Sequence, residues 1–170
     1  HGAAESGAST APNAGCAPGP NIAAPTPYTG TDPDELRDDP TSGGQITARM
    51  EHLLTQTRAA FPDSGWACWS PRPGTSSEHP LGRACDVTFG NTIGTAATGA
   101  ALDTGWAMTN WLQANAAALG VEYLIWQGKI WSLARADEGW RPYNGGGMHD
   151  PSDITGGHYD HLHITVREGR

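Results

Sequence analysis

The sequence has few basic residues and no long apolar run. Lys and Arg total 10 against 18 Asp and Glu, a formal net charge of −8, and the only Lys is Lys129. A net-negative chain without a basic cluster is not expected to bind nucleic acid or an anionic membrane. No apolar run approaches the ~20 residues that span a bilayer, so we expect no transmembrane segment.

Charged residues are scarce as well, at 16% of the chain against the roughly 25% of an average soluble protein. Gly (23) and Pro (13) are frequent, which predicts a loop-rich protein. The length of 170 residues suits one domain with a single core, and we expect a monomer. The chain begins with His1 and lacks a basic-then-apolar leader, so we expect that any export signal has been removed.

No two cysteines are spaced as Cys-x-x-Cys, which excludes a zinc finger and a thioredoxin-type motif. The cysteines present are Cys16, Cys68 and Cys85. We predict a Cys68–Cys85 disulfide, with free buried thiols as the alternative; closing this loop contributes ~3 kcal/mol in the chain-entropy model. Cys16 is either free or attaches the tail. A disulfide implies an oxidising, exported setting.

The amino-terminal part of the chain differs in composition from the rest. Residues 1–30 contain mostly Ala, Gly, Pro, Ser and Thr, which cannot bury enough apolar surface to offset their ordering entropy. An acidic stretch follows at 32–39, which we interpret as a solvated face rather than a metal site. We therefore predict a flexible tail or linker over residues 1–40 and a folded domain over 41–170.

Apolar residues recur at helical spacing in two segments. The first contains Ile46, Met50, Leu53, Leu54 and Phe61, and the second contains Leu102, Trp106, Thr109, Leu112, Ala116 and Leu119. Thr41 and Ser42 are candidate caps for the first helix, and Gly120 is placed to end the second.

Five strands are predicted, at 66–69, 83–89, 121–127, 129–133 and 161–166, and the third and fourth form a hairpin turning near Gly128. Successive strands with two separate helices indicate an α+β fold. The stretch from Tyr123 to Trp126, with Ile130 and Trp131, is expected to line the core, and a substrate wall formed by Trp126 or Trp131 is the alternative. The long segment 134–157, which holds Trp140, Tyr143 and His149, is expected to border a cleft.

Two short patterns carry the chemistry of this sequence. One ends in His161-Leu-His163, where alternation on a strand points both imidazoles to the same face. The other holds His79 before a Pro-Leu-Gly turn and Asp86 on a predicted strand, so the turn can bring the two together. Two imidazoles and one carboxylate with a vacant fourth position are a usual composition for catalytic zinc, which generates hydroxide at neutral pH.

The first of these patterns, from Ser77 to Asp86, has the form Ser-x-His-x-x-Gly-x-Ala-x-Asp. It resembles the zinc signature of the D-alanyl-D-alanine carboxypeptidases and dipeptidases, which are grouped with lysostaphin-type endopeptidases, murein endopeptidases and the hedgehog domain. The resemblance implies that His79, Asp86 and His163 bind zinc. It also implies a small antiparallel sheet that carries the zinc on one face and helices on the other.

The ending His158-x-x-His161-x-His163 is similar to that of the murein endopeptidases. The dipeptidases place a general base three residues before the last zinc ligand, a position that Asp160 occupies here. Strict alternation points Asp160 away from His161 and His163, so His158 or His161 remains the alternative base. If Asp160 is the base, His161 is expected to hydrogen-bond the oxyanion.

Two further residues are candidates for binding substrate. Arg72 lies between two prolines and precedes the signature. The carboxypeptidases also have an Arg before the signature, in a Phe-Arg-Ser stretch, and there it binds the scissile carbonyl or a terminal carboxylate. An ordinary surface Arg is the alternative. Ser77 is a candidate for a hydrogen bond to a ligand or substrate.

The resemblance implies a secreted zinc peptidase at the cell wall that hydrolyses peptide bonds in peptidoglycan stem peptides, either as a D-Ala-D-Ala carboxypeptidase or as an endopeptidase. The alternative is a non-catalytic module that binds the cell wall and uses zinc structurally. A water at the fourth zinc position favours catalysis, and a protein ligand there favours the module. A third interpretation makes His1 an amino-terminal copper ligand, although a Gly/Ala-rich tail follows it.

Overall fold

The computed structural model describes residues 22–170, which form several short strands and helices in sequence order. The elements are β1 (Leu36–Asp38), β2 (Gln45–Thr47), α1 (Ala48–Ala60), β3 (Gly65–Ala67), β4 (Ala84–Thr88), α2 (Gly99–Ala114), α3 (Ala116–Leu119), β5 (Val121–Trp126), β6 (Lys129–Ser132), a 3-10 helix (Leu133–Glu138), β7 (Arg141–Pro142) and β8 (Leu162–Val166). The predicted α+β class is confirmed.

Within this part of the chain, six strands form one sheet in the order β3-β4-β8-β5-β6-β7, and β1 pairs with β2 in a second. All neighbouring strands are antiparallel. In the central strand β8, Leu162 and Ile164 are fully buried and belong to the same core as Trp106 and Leu112 of α2. The opposite face of β8 carries His163 and is thereby free to hold a site.

The amino-terminal end of α1 differs from the prediction. Thr47 caps the helix, because its hydroxyl oxygen accepts a hydrogen bond from the backbone N–H of Met50 at 3.2 Å. The prediction that Thr41 or Ser42 caps it was wrong: both hydroxyls donate instead to the buried carboxylate of Asp39 in the turn between β1 and β2.

The carboxyl end of the second helical segment agrees with the prediction. Gly120 caps it in the left-handed conformation with φ 76°, which a residue without Cβ adopts at little cost. The predicted hairpin is also confirmed, because Trp126 pairs with Lys129 across a two-residue turn. Both turn residues, Gln127 and Gly128, have positive φ, the requirement of a type I′ turn.

Residues 22–40, which lie within the predicted tail, contact the rest of the domain. Strand β1 pairs with β2, the N–H of Tyr28 donates to the carbonyl of Ala118 at 3.0 Å, and the indole N–H of Trp111 donates to the carbonyl of Ala23. The interpretations that concern His1 and Cys16 lie outside the described residues.

The predicted disulfide is present, with Cys68 and Cys85 joined at 2.05 Å. Both residues are buried. Cys85 lies in β4, and Cys68 directly follows β3, the strand that pairs with β4. A disulfide is compatible with an oxidising, extracellular location. Among residues 22–170, no helix has the length and apolar character that a membrane crossing needs.

Candidate metal centre and cavity

Three side chains that the sequence marks as ligands lie together on the solvent side of the large sheet. Asp86 on β4 is directly opposite His163 on β8, and His79 comes from the loop that precedes β4. Asp86 Oδ1 lies 3.2 Å from His163 Nδ1 and 3.3 Å from His79 Nε2. One donor atom from each residue lies within 4.8 Å of the other two, so the group could hold a metal ion.

The ring nitrogen of each histidine that faces away from Asp86 has a fixed partner. His79 Nδ1 lies 2.6 Å from the carbonyl oxygen of Cys68, and His163 Nε2 lies 2.7 Å from the hydroxyl of Thr165. A carbonyl accepts only, so His79 carries its proton on Nδ1 and leaves Nε2 free as a ligand. Outer partners of this kind orient metal-binding histidines.

The electrostatics of the group favour an ionised carboxylate on Asp86. Burial by itself raises the pKa of Asp86, but its close contacts with His163 and His79 outweigh burial and hold that pKa well below its usual range. Burial lowers the pKa of His163 despite the nearby carboxylate. Burial opposes charge on His79 too, yet Asp86 outweighs it and raises the pKa of that imidazole. A cation at this point would complement the carboxylate and keep both imidazoles neutral.

The donor set therefore fits a metal ion with nitrogen and oxygen ligands. Two imidazoles and one carboxylate suit zinc, and also suit other divalent transition metals. The prediction that His79, Asp86 and His163 are brought together is confirmed, while the identity of the metal remains a prediction.

His161 lies beside this group and is fixed from behind by Asp160. Its Nδ1 is 2.7 Å from Asp160 Oδ1, and its Nε2 faces Asp86 Oδ1 at 3.6 Å. The fully buried Asp160 carboxylate also accepts hydrogen bonds from the N–H of Gly94 and the hydroxyl of Thr155 through Oδ2. Asp160 thus holds His161 in one orientation, with Nε2 directed towards the metal group.

His158 is buried next to His161, with ring centroids 4.4 Å apart. Its backbone has φ 63°, and its Nδ1 lies 3.2 Å from the carbonyl oxygen of Gly156. Burial, followed by the neighbouring imidazoles, lowers the pKa of His158 to about 3. His158 is therefore neutral at ordinary pH.

Arg72 and Ser77 both lie at this site. Arg72 Nη2 is 3.5 Å from Asp86 Oδ2, and its Nε donates to Ser70 Oγ at 3.1 Å, so part of the guanidinium remains available to a ligand. The hydroxyl oxygen of Ser77 accepts the N–H of His79, which holds the loop before the ligand and leaves the Ser77 O–H free to donate.

These side chains line a cavity of about 260 Å³. The predicted residues in its wall are Arg72, Ser77, His79, Asp86, His158, His161 and His163. The wall also contains Glu78, Ile93, Met148 and Thr155, which the sequence analysis did not single out. The prediction that Tyr123 and Ile125 line the core was wrong, because both side chains lie in the cavity wall. Glu78 stands within the recognised signature, whereas Tyr123 reaches the cavity only because β5 pairs with β8.

Some of the aromatic residues lie in the core and others in the cavity wall. Trp126 and Trp131 are in the core, as predicted. Tyr143 and His149 of the long segment 134–157 line the cavity, as predicted. Trp140 of the same segment instead packs edge-on against Trp106, beside the core.

Comparison with known proteins gives one family. The family model described as "VldE, C-terminal domain" matches residues 42–155, which are more than half of the chain. The match includes His79 and Asp86 and ends before His158. No curated protein and no solved structure matches the chain.

Proposed function

This chain belongs to the VldE C-terminal domain family, and we propose that it is a secreted zinc-dependent peptidase that hydrolyses a peptide bond in peptidoglycan stem peptides. The observation that carries the proposal is one cavity that combines a metal-binding group with a separate imidazole held by a buried carboxylate. The signature from Ser77 to Asp86, which resembles that of zinc peptidases, supports the same chemistry.

His79, Asp86 and His163 are the proposed ligands of the zinc ion. When bound, zinc supplies Lewis acidity, which polarises a peptide carbonyl and makes water acidic enough to act as a nucleophile near neutral pH. The carbonyl partner of His79 leaves Nε2 as its ligand nitrogen, and Thr165 occupies Nε2 of His163, so that Nδ1 faces the metal group.

We assign His161 as the proton acceptor, one of the alternatives that the sequence leaves open. Its Nε2 faces the metal group, and Asp160 holds the proton on Nδ1, so Nε2 has a free lone pair. Asp160 itself is fully buried behind His161. His158 is a weak acceptor at neutral pH, because its pKa is about 3.

The proposed cycle moves one proton through His161. Nε2 takes a proton from water as the water oxygen bonds to the carbonyl carbon. Nε2 then gives this proton to the peptide nitrogen as the carbon–nitrogen bond breaks, which releases an amine and a carboxylic acid. Asp160 stabilises the imidazolium between these two transfers, and Arg72 binds the scissile carbonyl or a terminal carboxylate.

A digest of purified peptidoglycan tests this proposal. The zinc-loaded protein is expected to release fragments with new amino and carboxyl termini, identified by mass. The variant His163→Ala is expected to lose both zinc and activity. Stoichiometric zinc in that variant would show that the ligand set is wrong, and a wild-type protein with full zinc that cuts no stem peptide would contradict the enzymatic proposal.

The second candidate is a non-catalytic zinc-containing module that binds the cell wall. One observation favours it: His161 Nε2 lies 3.6 Å from Asp86 Oδ1, near enough to the metal group to be a fourth protein ligand. The variant His161→Ala separates the two functions. A proton acceptor can be removed with zinc retained and activity lost, whereas removal of a fourth ligand weakens zinc binding itself.

A further inference from the structure

Glu78 places a negative charge in the wall of the cavity, beside the metal group. It directly precedes His79 in the chain, and its Oε1 accepts a hydrogen bond from the hydroxyl of Tyr123 at 2.7 Å. The ring of Tyr123 stacks on His163 with centroids 5.4 Å apart and an interplanar angle of 16°. The carboxylate is thus held at a fixed position relative to the metal ligands.

The charge of Glu78 has no cationic partner among residues 22–170, where the ion pairs do not include it. The other carboxylate of the cavity wall, Asp86, is surrounded by Arg72 and three imidazoles. The cavity therefore contains one neutralised carboxylate, which belongs to the metal group, and one that is not neutralised.

The Glu78 carboxylate acts on the aromatic wall of the same cavity. Burial, and after it the negative charge of Glu78, raise the pKa of Tyr143. A fixed anion in a cavity whose wall also holds two phenol hydroxyls is a suitable environment for an organic cation, because the anion supplies charge and the phenol oxygens can accept hydrogen bonds from an ammonium group.

From this geometry we infer that Glu78, with the hydroxyl of Tyr123, forms a subsite for a protonated amine of the substrate. The inference rests on the proposed function and deepens it: the peptide that is cut carries an ammonium group close to the scissile bond. This group is either a free α-amine or the side-chain amine of a diamino acid. Arg72 is the oppositely charged group of the same cavity, so a substrate with both an ammonium and a carboxylate matches both.

The test uses the synthetic tripeptide Lys-D-Ala-D-Ala, the carboxyl-terminal part of a stem peptide, prepared in four forms. Both amines are free in the first form, the α-amine is acetylated in the second, the side-chain amine in the third, and both in the fourth. Wild type is compared with Glu78→Gln, which keeps the size and the acceptor for Tyr123. The control is Glu122→Gln, since Glu122 pairs with Arg83 and lies outside the cavity wall.

In wild type, acetylation of the recognised amine is expected to lower kcat/KM about 10-fold to 100-fold, as loss of a charge-assisted hydrogen bond does. Glu78→Gln is expected to lower kcat/KM for the free-amine form by a similar factor, and acetylation should then have little further effect. The amine whose acetylation lowers kcat/KM is the one that the subsite binds. Glu122→Gln should behave as wild type, and zinc content is measured in every protein.

Two outcomes overturn the inference. One is that Glu78→Gln changes kcat/KM by the same factor for all four forms, and the other is that acetylation lowers kcat/KM in that variant as much as in wild type. Calorimetric binding of the same peptides separates this inference from the proposed function. If wild type binds the free-amine form without cutting it, and Glu78→Gln weakens that binding, the subsite stands and the peptidase proposal fails. If wild type binds none of the four forms, both fail.

Discussion

Thr165 gives the sharpest test of how the structure prepares the metal group. Its hydroxyl lies 2.7 Å from His163 Nε2, the nitrogen turned away from Asp86, and the residue is fully buried on β8. Thr165→Val removes this hydroxyl and preserves the shape of the side chain. Nε2 of His163 then loses its hydrogen-bond partner in a buried position, and the imidazole has a less defined orientation.

Loss of an outer partner of a metal-binding histidine lowers metal affinity about 10-fold to 100-fold. This corresponds to about 1.4 to 2.8 kcal/mol of binding free energy. The same change should lower the free energy of unfolding of the metal-free protein by about 1 kcal/mol, the net worth of one hydrogen bond. The loss in zinc affinity is expected in addition to that loss of stability.

The assay is competitive zinc titration against a chromogenic chelator, with wild type, Thr165→Val and Thr165→Ser side by side. The serine variant keeps the hydroxyl and is the matched control, so its zinc affinity should stay within about threefold of wild type. If the valine variant binds zinc as tightly as wild type, His163 does not depend on Thr165, and the account of the metal group is incorrect.

Three other changes test separate parts of the structure. Cys68→Ala with Cys85→Ala should lower the free energy of unfolding by ~3 kcal/mol in denaturant titration, since the cross-link closes a loop of 17 residues; an unchanged midpoint would contradict this. Hydrogen bonds outweigh burial and lower the pKa of Asp39, so its stabilising effect should be present above about pH 4 and lost as the pH falls through its lowered folded-state pKa. Asp39→Asn should remove that part of the pH dependence, and an identical stability profile would refute the assignment. Asp160→Asn should retain zinc and lower kcat by about 10²-fold to 10⁴-fold, because an amide no longer fixes the proton of His161 on Nδ1; a wild-type rate at full zinc loading would make Asp160 a bystander.

The sequence predicts those parts of the fold that local rules determine. Alternation in β8 places Ile164 in the core and His163 on the site face, and Gly120 and Gly128 mark the helix end and the hairpin turn, as the structure has them. The start of α1 was missed, because Ile46 fits the helical spacing. In the structure Ile46 instead lies in β2 and pairs with Arg37 of β1. A pairing between two short strands leaves no periodicity that a sequence pattern can detect.

The site was predictable to the extent that its residues lie in short motifs. His79 and Asp86 stand in one motif and His163 in the other, but their contact depends on the register between β4 and β8. The position of Asp160 behind His161 depends on the start of β8, where strict alternation no longer applies. Tyr123 enters the cavity through the pairing of β5 with β8, which no local pattern specifies.

The central claim is that one zinc ion in this cavity gives the protein its hydrolytic activity. The most direct measurement is the rate of stem-peptide hydrolysis while zinc is added stepwise to metal-free protein. The account predicts no hydrolysis without metal, a linear rise up to one equivalent of zinc, and a plateau beyond it. Hydrolysis that is independent of added zinc, or no hydrolysis at one full equivalent, would contradict it.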